Sequence, residues 1–173
     1  MTLQICCCGW YGWRECYEPL SKLSNVYIVA HKPIETWGIP MIVLPNIGLS
    51  FHCYDYYIKH IWDKKSKIVL QQDDITIKDI SIYKDLERLE VDKITMVWSK
   101  LGEERNQFHT RFFVCSPKWL NEQGGFKYDP ENKGDTRADG KGNTMDKYYW
   151  QMTKSYLGNY WTDKIINHRR GVK

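Results

Sequence analysis

The sequence predicts one α/β domain with a mostly parallel central sheet flanked by helices. Three observations lead there. Short apolar runs alternate with stretches at helical spacing, the pattern of strands joined by helical crossovers. One of those runs, Ile68, Val69 and Leu70, leads into Asp73 and Asp74. Ligands of open α/β sheets bind beyond the carboxyl ends of strands. The 173 residues, 42% hydrophobic and 27% charged, suffice for one domain with a real core.

Taken in order, residues 3–8 read as a first strand. A turn follows over 9–12, then a short helix ending near Leu23. Residues 26–30 are a second strand, with His31, Lys32 and Pro33 beyond it. A third strand, 41–44, is ended by Pro45-Asn46-Ile47-Gly48. Ser50 caps a helix running to about Lys64, on which Phe51, Tyr54, Ile58, Ile61 and Trp62 share one face. The strand that ends in the aspartates comes next. Residues 75–90 read as a loop followed by a helix over 82–90, and 94–98 and 111–115 as further strands. Ser116-Pro117 starts a helix, because Ser caps and the missing N–H of Pro costs nothing in the first turn. Gly124-Gly125 stops it.

Residues 126–143, rich in Gly, Asp, Lys and Asn, read as a mobile loop of the length that lids and binding loops have. Asp129, Asp135 and Asp139 do not make a calcium loop of it, since Arg137 stands where an oxygen ligand is needed. Thr144 caps a last helix, and Asp146 in its first turn is favoured by the helix dipole. Trp150, Tyr156, Leu157 and Trp161 are packing positions on that helix. There is no internal repeat.

The formal net charge of +4 permits an anionic ligand or polymer without demanding one. Positive residues gather late, in Lys164, Arg169, Arg170 and Lys173, with His168 among them. Eight Trp and twelve Tyr offer apolar faces with polar edges, as sugar and base sites do. No apolar run approaches the roughly 18 residues that span a bilayer, and the N-terminus lacks the pattern of a signal peptide. The expected place is therefore the cytoplasm. The Lys, Ile, Tyr and Asn bias suits an AT-rich genome such as a viral one, in which case the host cytoplasm is meant.

Cys6, Cys7, Cys8, Cys16, Cys53 and Cys115 are spaced for neither a disulfide framework nor a zinc knuckle. Reduced core thiols are expected. Asp73 and Asp74 suit a hard cation, Mg2+ or Mn2+, that holds phosphate oxygens; Asp is equally at home in a turn.

Three stretches together resemble a small GT-A-type glycosyltransferase, the fold that handles nucleotide-diphospho-sugars. They are the opening strand and turn from Ile5 to Tyr11, Pro45-Asn46-Ile47-Gly48 before a helix, and Leu70-Gln71-Gln72-Asp73-Asp74-Ile75. The last is similar to the family's Asp-x-Asp motif, with Gln72 in place of the first carboxylate. The match covers roughly the first hundred residues.

The resemblance implies a nucleotide-sugar-binding half over 1–100 and an acceptor half over 101–173, which includes the loop and the basic tail. It places Asp74 on the metal and Asp73 nearer the sugar, while Gln72 hydrogen-bonds a ribose or a metal-bound water. His31 and Lys32 take the place of base or ribose contacts. Gly9 lets backbone approach the nucleotide, Trp10 or Tyr11 stacks on its base, and Asn46 touches the donor. Asp146, at the start of a late helix, is the base of an inverting displacement, and His168 completes the metal or phosphate site. Arg169 and Arg170 add charge-assisted phosphate contacts. Trp98 borders the acceptor. His109 and Arg111 carry no motif and are left unassigned.

The implied activity is transfer of a sugar from a nucleotide-diphospho-sugar to an acceptor hydroxyl, assisted by Mn2+ or Mg2+. A glycan or glycoprotein is the default acceptor. A hydroxylated DNA base is a second, motivated by the basic tail and the aromatics, and needs the base flipped out. Two other classes compete. Loss of the carboxylate at Gln72 suits a nucleotide- or glycan-binding module of the same fold without turnover. A metal-dependent nuclease or phosphatase would use Asp73 and Asp74 with an attacking water, but the chain shows no second acidic or His cluster at a suitable spacing.

Overall fold

The computed structural model describes residues 2–97, 111–126, 153–156 and 163–167. Nine strands and four helices follow one another along these residues. They run β1 (Leu3–Gly9), α1 (Arg14–Leu20), β2 (Val26–Ala30), β3 (Met41–Val43), α2 (Leu49–His60), β4 (Lys67–Gln72), β5 (Ile75–Ile77), α3 (Ile82–Arg88), β6 (Ile94–Met96), β7 (Phe112–Cys115), α4 (Pro117–Gln123), β8 (Thr153–Tyr156) and β9 (Ile165–Asn167). A seven-stranded sheet has the order β3-β2-β1-β4-β7-β6-β8, and β5 and β9 form a separate antiparallel pair. β7 runs antiparallel to both its neighbours, and the other pairs in the large sheet are parallel.

Both faces of the sheet are covered, which is why its strands read as nearly continuous apolar runs. Alternate residues serve opposite cores. Ile5, Cys7, Val69 and Val114 point to one face, against Tyr17 and Leu20 of α1, Ile82 and Leu86 of α3, and Ile75 of β5. Cys6, Cys8, Ile68, Leu70 and Phe113 point to the other, against Phe51, Tyr54 and Ile58 of α2 and Trp119 and Leu120 of α4. The six cysteines are reduced and buried between these layers. No helix among the described residues is long and apolar enough to cross a membrane.

Several boundaries differ from those the sequence suggests. Helix α2 begins at Leu49 behind Gly48, and Ser50 does not cap it. The Ser50 hydroxyl instead accepts from the Gln72 amide at 2.6 Å. The helix ends at His60 because the chain turns on Asp63, whose Oδ1 accepts from the Lys65 and Ser66 amides at 2.8 and 2.7 Å. Helix α4 does follow its sequence signals: Ser116 Oγ accepts from the Trp119 amide, Pro117 opens the first turn, and Gly124 ends it at a φ of +73°.

Three strands stand where none was expected. Ile75–Ile77 pairs with Ile165–Asn167 rather than forming a loop. Thr153–Tyr156, placed by sequence inside a last helix, is a strand parallel to β6. The backbone of the buried strand β6 needs hydrogen-bond partners on its outer edge, and that requirement overrides the local periodicity. The remainder of the expected helix, from Thr144, and the loop over 127–143 lie outside the described residues.

Candidate functional site

The chain passes from β1 outward through β2 to β3, then returns across β1 to β4 on its other side. The strand order therefore reverses between β1 and β4, and ligands of open α/β sheets bind beyond the carboxyl ends of the strands at such a reversal. Cys8 lies in register with Gln72, and Gly9 with Ala30. This register brings Trp10, Tyr11, His31, Gln72, Asp73 and Asp74 to one end of the sheet.

Asp73 organises this end. Its Oδ2 accepts from three successive backbone amides, Trp10 at 3.0 Å, Tyr11 at 2.7 Å and Gly12 at 2.7 Å, and from the Tyr17 hydroxyl at 3.1 Å. Its own amide donates to Cys8 O at 3.2 Å. The carboxylate thus buckles the β1–α1 turn onto the end of β4. Asp73 is only 1% exposed, and Oδ1 accepts no hydrogen bond among the described residues. Burial drives the carboxyl above its ordinary range, against the pull of the three amides and the Tyr17 hydroxyl. A Cβ at Gly9 would lie 2.6 Å from Ile34 Cδ1 and 3.1 Å from Ala30 Cβ, so a side chain there would require the end of Ile34 to shift and would crowd Ala30.

With the turn held in this way, Trp10 stands 38% exposed. Its ring meets the His31 ring edge-on at 6.3 Å, and Lys32 Nζ lies 5.0 Å from its centroid. Three of the residues singled out by sequence therefore form one aromatic and cationic patch. Tyr11 turns aside to tilt against Trp13 at 5.3 Å. Asn46 is exposed on the β3–α2 connection.

Gln72 donates through Nε2 to Ser50, which ties β4 to α2. Asp74, 3% exposed, has Arg111 Nε 3.5 Å from its Oδ2. Sequence gave no signal for Arg111; it reaches this place because β7 pairs antiparallel with β4. Asp73 and Asp74 are both buried, and carboxylate oxygens are the donor type that Mg2+ and Mn2+ take. Arg111 already sets a positive charge against Asp74, which a cation there would have to displace or share.

A second group was not legible in the sequence. Cys8 at the end of β1, His31 after β2 and Cys53 on α2 bring their ligand atoms within 4.8 Å of one another. Cys53 Sγ is 3.3 Å from His31 Nε2, and that nitrogen is 3.0 Å from Leu49 O, while Nδ1 is 3.4 Å from Leu44 O. A hydrogen bond with Cys8, together with burial, pushes the Cys53 thiol well above its ordinary range.

Asp146, His168, Arg169 and Arg170, the residues expected to act as base, metal ligand and phosphate contacts, lie outside the described residues, as do Trp98 and His109.

No protein-family model matches the sequence, and no curated protein matches it. Solved structures do match in fold. The crystal structure of the glycosyltransferase GlyE of Streptococcus pneumoniae TIGR4 superposes with a TM-score of 0.53 at 15% identity, over 91% of this chain and 46% of that one. Its apo form gives 0.54 at 14% identity, over 90% and 45%. The chain thus spans about half the length of these structures, and its mixed α/β architecture is glycosyltransferase-like.

Proposed function

We propose that the protein binds a nucleotide-diphospho-sugar at the β1–β4 reversal and transfers its sugar to an acceptor hydroxyl. The observation that carries this reading is the Asp73 buckle, which presents Trp10 outward beside His31 and Lys32 at the ligand-binding end of a glycosyltransferase-like sheet. In this reading Trp10 stacks on the base and Gly9 and Tyr11 bring backbone against the nucleotide. His31 fixes the Trp10 ring, and Lys32 and Asn46 line the rim.

Arg111, with Arg169 and Arg170, offsets the charge that builds on the departing diphosphate. Asp74, with the orphaned oxygen of Asp73 and with His168, would hold Mn2+ or Mg2+. Such an ion, when bound, neutralises and orients the phosphates. Gln72 hydrogen-bonds the ribose. Asp146 takes the proton of the acceptor hydroxyl as the new bond forms, which gives inversion at the sugar. Residues 101–173 receive the acceptor: a glycan, a glycoprotein or a hydroxylated base in DNA. The setting is cytoplasmic.

One observation favours a second reading, a binding module without turnover. Gln72, in the place of the motif's first carboxylate, is engaged with Ser50, and Asp74 already faces Arg111. The deciding experiment incubates the protein with a panel of nucleotide-sugars, with Mn2+, with Mg2+ and with EDTA, and measures released nucleoside diphosphate. Release from one donor that falls at least tenfold in Asp74→Asn supports the transferase. Saturable binding with no release under any condition selects the module. Neither binding nor release across the panel rejects both readings.

A further inference from the structure

We infer that Cys8, His31 and Cys53 form a binding site for a soft divalent metal, Zn2+ in the first instance, distinct from the acidic pair at Asp73 and Asp74. Thiolate and imidazole are the ligands zinc prefers, at about 2.3 Å for sulfur and 2.0–2.1 Å for nitrogen. Tetrahedral angles on those bonds give edges of about 3.5 Å between sulfur and nitrogen and about 3.8 Å between sulfurs. The Cys53–His31 separation of 3.3 Å is already close to the first. All three ligand atoms lie within 4.8 Å of one another, so closing the site needs side-chain shifts of about 1 Å or less.

Both ring nitrogens of His31 face a backbone carbonyl, Leu44 O at Nδ1 and Leu49 O at Nε2. Nδ1–H donating to Leu44 O is the usual outer arrangement of a metal-bound histidine, and it leaves Nε2, beside Cys53 Sγ, as the nitrogen that would take the metal. Leu49 O, 3.0 Å from Nε2, would then turn aside or join the metal as an oxygen ligand.

Leu49 holds its carbonyl there from a left-handed backbone at a φ of +52°. That conformation costs a non-glycine residue energy and tends to occur at functional sites. Cys8 and Cys53 are 4% and 0% exposed while His31 is partly exposed, so the site is dry on the sulfur side and entered past the imidazole.

Such a metal would pin three elements, the end of β1, the turn after β2 and the first turns of α2, through His31, whose ring also meets Trp10. The site rests on these contacts and not on the transferase reading. The test is Co2+ titration of the reduced, chelator-treated full chain, followed by the thiolate-to-cobalt charge-transfer absorption and by competition with Zn2+. The expected result is one equivalent per chain with that absorption, displaced by Zn2+.

Affinity should fall more than tenfold in Cys53→Ser and in His31→Asn. It should be unchanged in Cys115→Ser, whose sulfur is buried in the same core outside the trio, and in Asp74→Asn. Cys8→Ser adds to this if it folds, as read by far-UV circular dichroism, and the other two variants suffice if it does not. No thiolate absorption in the wild type, or absorption that survives in both Cys53→Ser and His31→Asn, overturns the proposal. Cobalt binding lost in Asp74→Asn alone would assign the ion to the acidic pair and overturn it equally.

Discussion

Asp73 shows how one carboxylate oxygen can shape a site through the backbone it holds. Its Oδ2 holds three consecutive amides and a tyrosine hydroxyl, and each buried donor left without a partner costs about 1–3 kcal/mol. The three amides are only partly buried, so water takes up part of the loss; Asp73→Ala should lose about 3 kcal/mol in urea denaturation, and its near-UV circular dichroism should report release of Trp10. A loss below about 1 kcal/mol would mean the turn holds itself. Asp63 offers a pH readout away from the site. Burial is the largest single influence and raises its carboxyl, but the Ser66 hydroxyl and amide and the Lys65 amide together hold it below the ordinary 3.8. A depressed carboxylate contributes stability above its unfolded pKa and loses it as pH falls through the folded value. The urea midpoint of Asp63→Asn should lie below wild type at pH 7 and converge with it as the pH falls through the depressed range of the Asp63 carboxyl. An offset that persists in acid would assign the effect to shape rather than charge.

At the scale of elements, α3 is fastened to the sheet through its C-terminal end. Lys67, 5% exposed at the start of β4, donates from Nζ to the carbonyls of Leu86, Glu87 and Leu89. These are carbonyls a helix cannot satisfy for itself. Toward the other end of the same strand, the Tyr83 hydroxyl donates to the buried Gln71 at 2.6 Å. Lys67→Met keeps the apolar stem and removes the charge. It should cost about 2 kcal/mol and speed hydrogen exchange in α3 more than in α2. Equal acceleration of both helices would show that Lys67 stabilises the whole domain rather than the docking of α3. The α1 turn, Asp73 and Tyr17 make a comparable clasp on the same face, so the candidate site is built where two helices are tied to β4.

For the whole molecule, the reversal between β1 and β4 gathers the patch from segments far apart in the chain. A ligand spanning them binds only the folded state and stabilises it by mass action. A nucleoside diphosphate at a hundredfold excess over its Kd should add about 2.7 kcal/mol, which for a domain of this size raises Tm by roughly 5–10 °C. Differential scanning fluorimetry with the four common nucleoside diphosphates checks this, and the shift should vanish in Trp10→Ala. A shift that survives Trp10→Ala would move the nucleotide away from the patch.

The sequence by itself determined the mostly parallel sheet, the position of the acidic pair at the end of β4, the Ser116-Pro117 start of α4 and its stop at Gly124. Periodicity, caps and breakers act over a few residues, so these features are written locally. It also singled out Trp10, His31 and Lys32, though not that they meet. Only the tertiary structure decided what Asp73 binds, that Ser50 serves Gln72 rather than its own helix, and that Arg111 stands beside Asp74. It alone paired β5 with β9, turned Thr153–Tyr156 into a strand, and brought Cys8, His31 and Cys53 together. The physical reason is shared: each of these depends on strand order and register, which are fixed by burying two faces of one sheet at once and leave no mark in any short window of the chain.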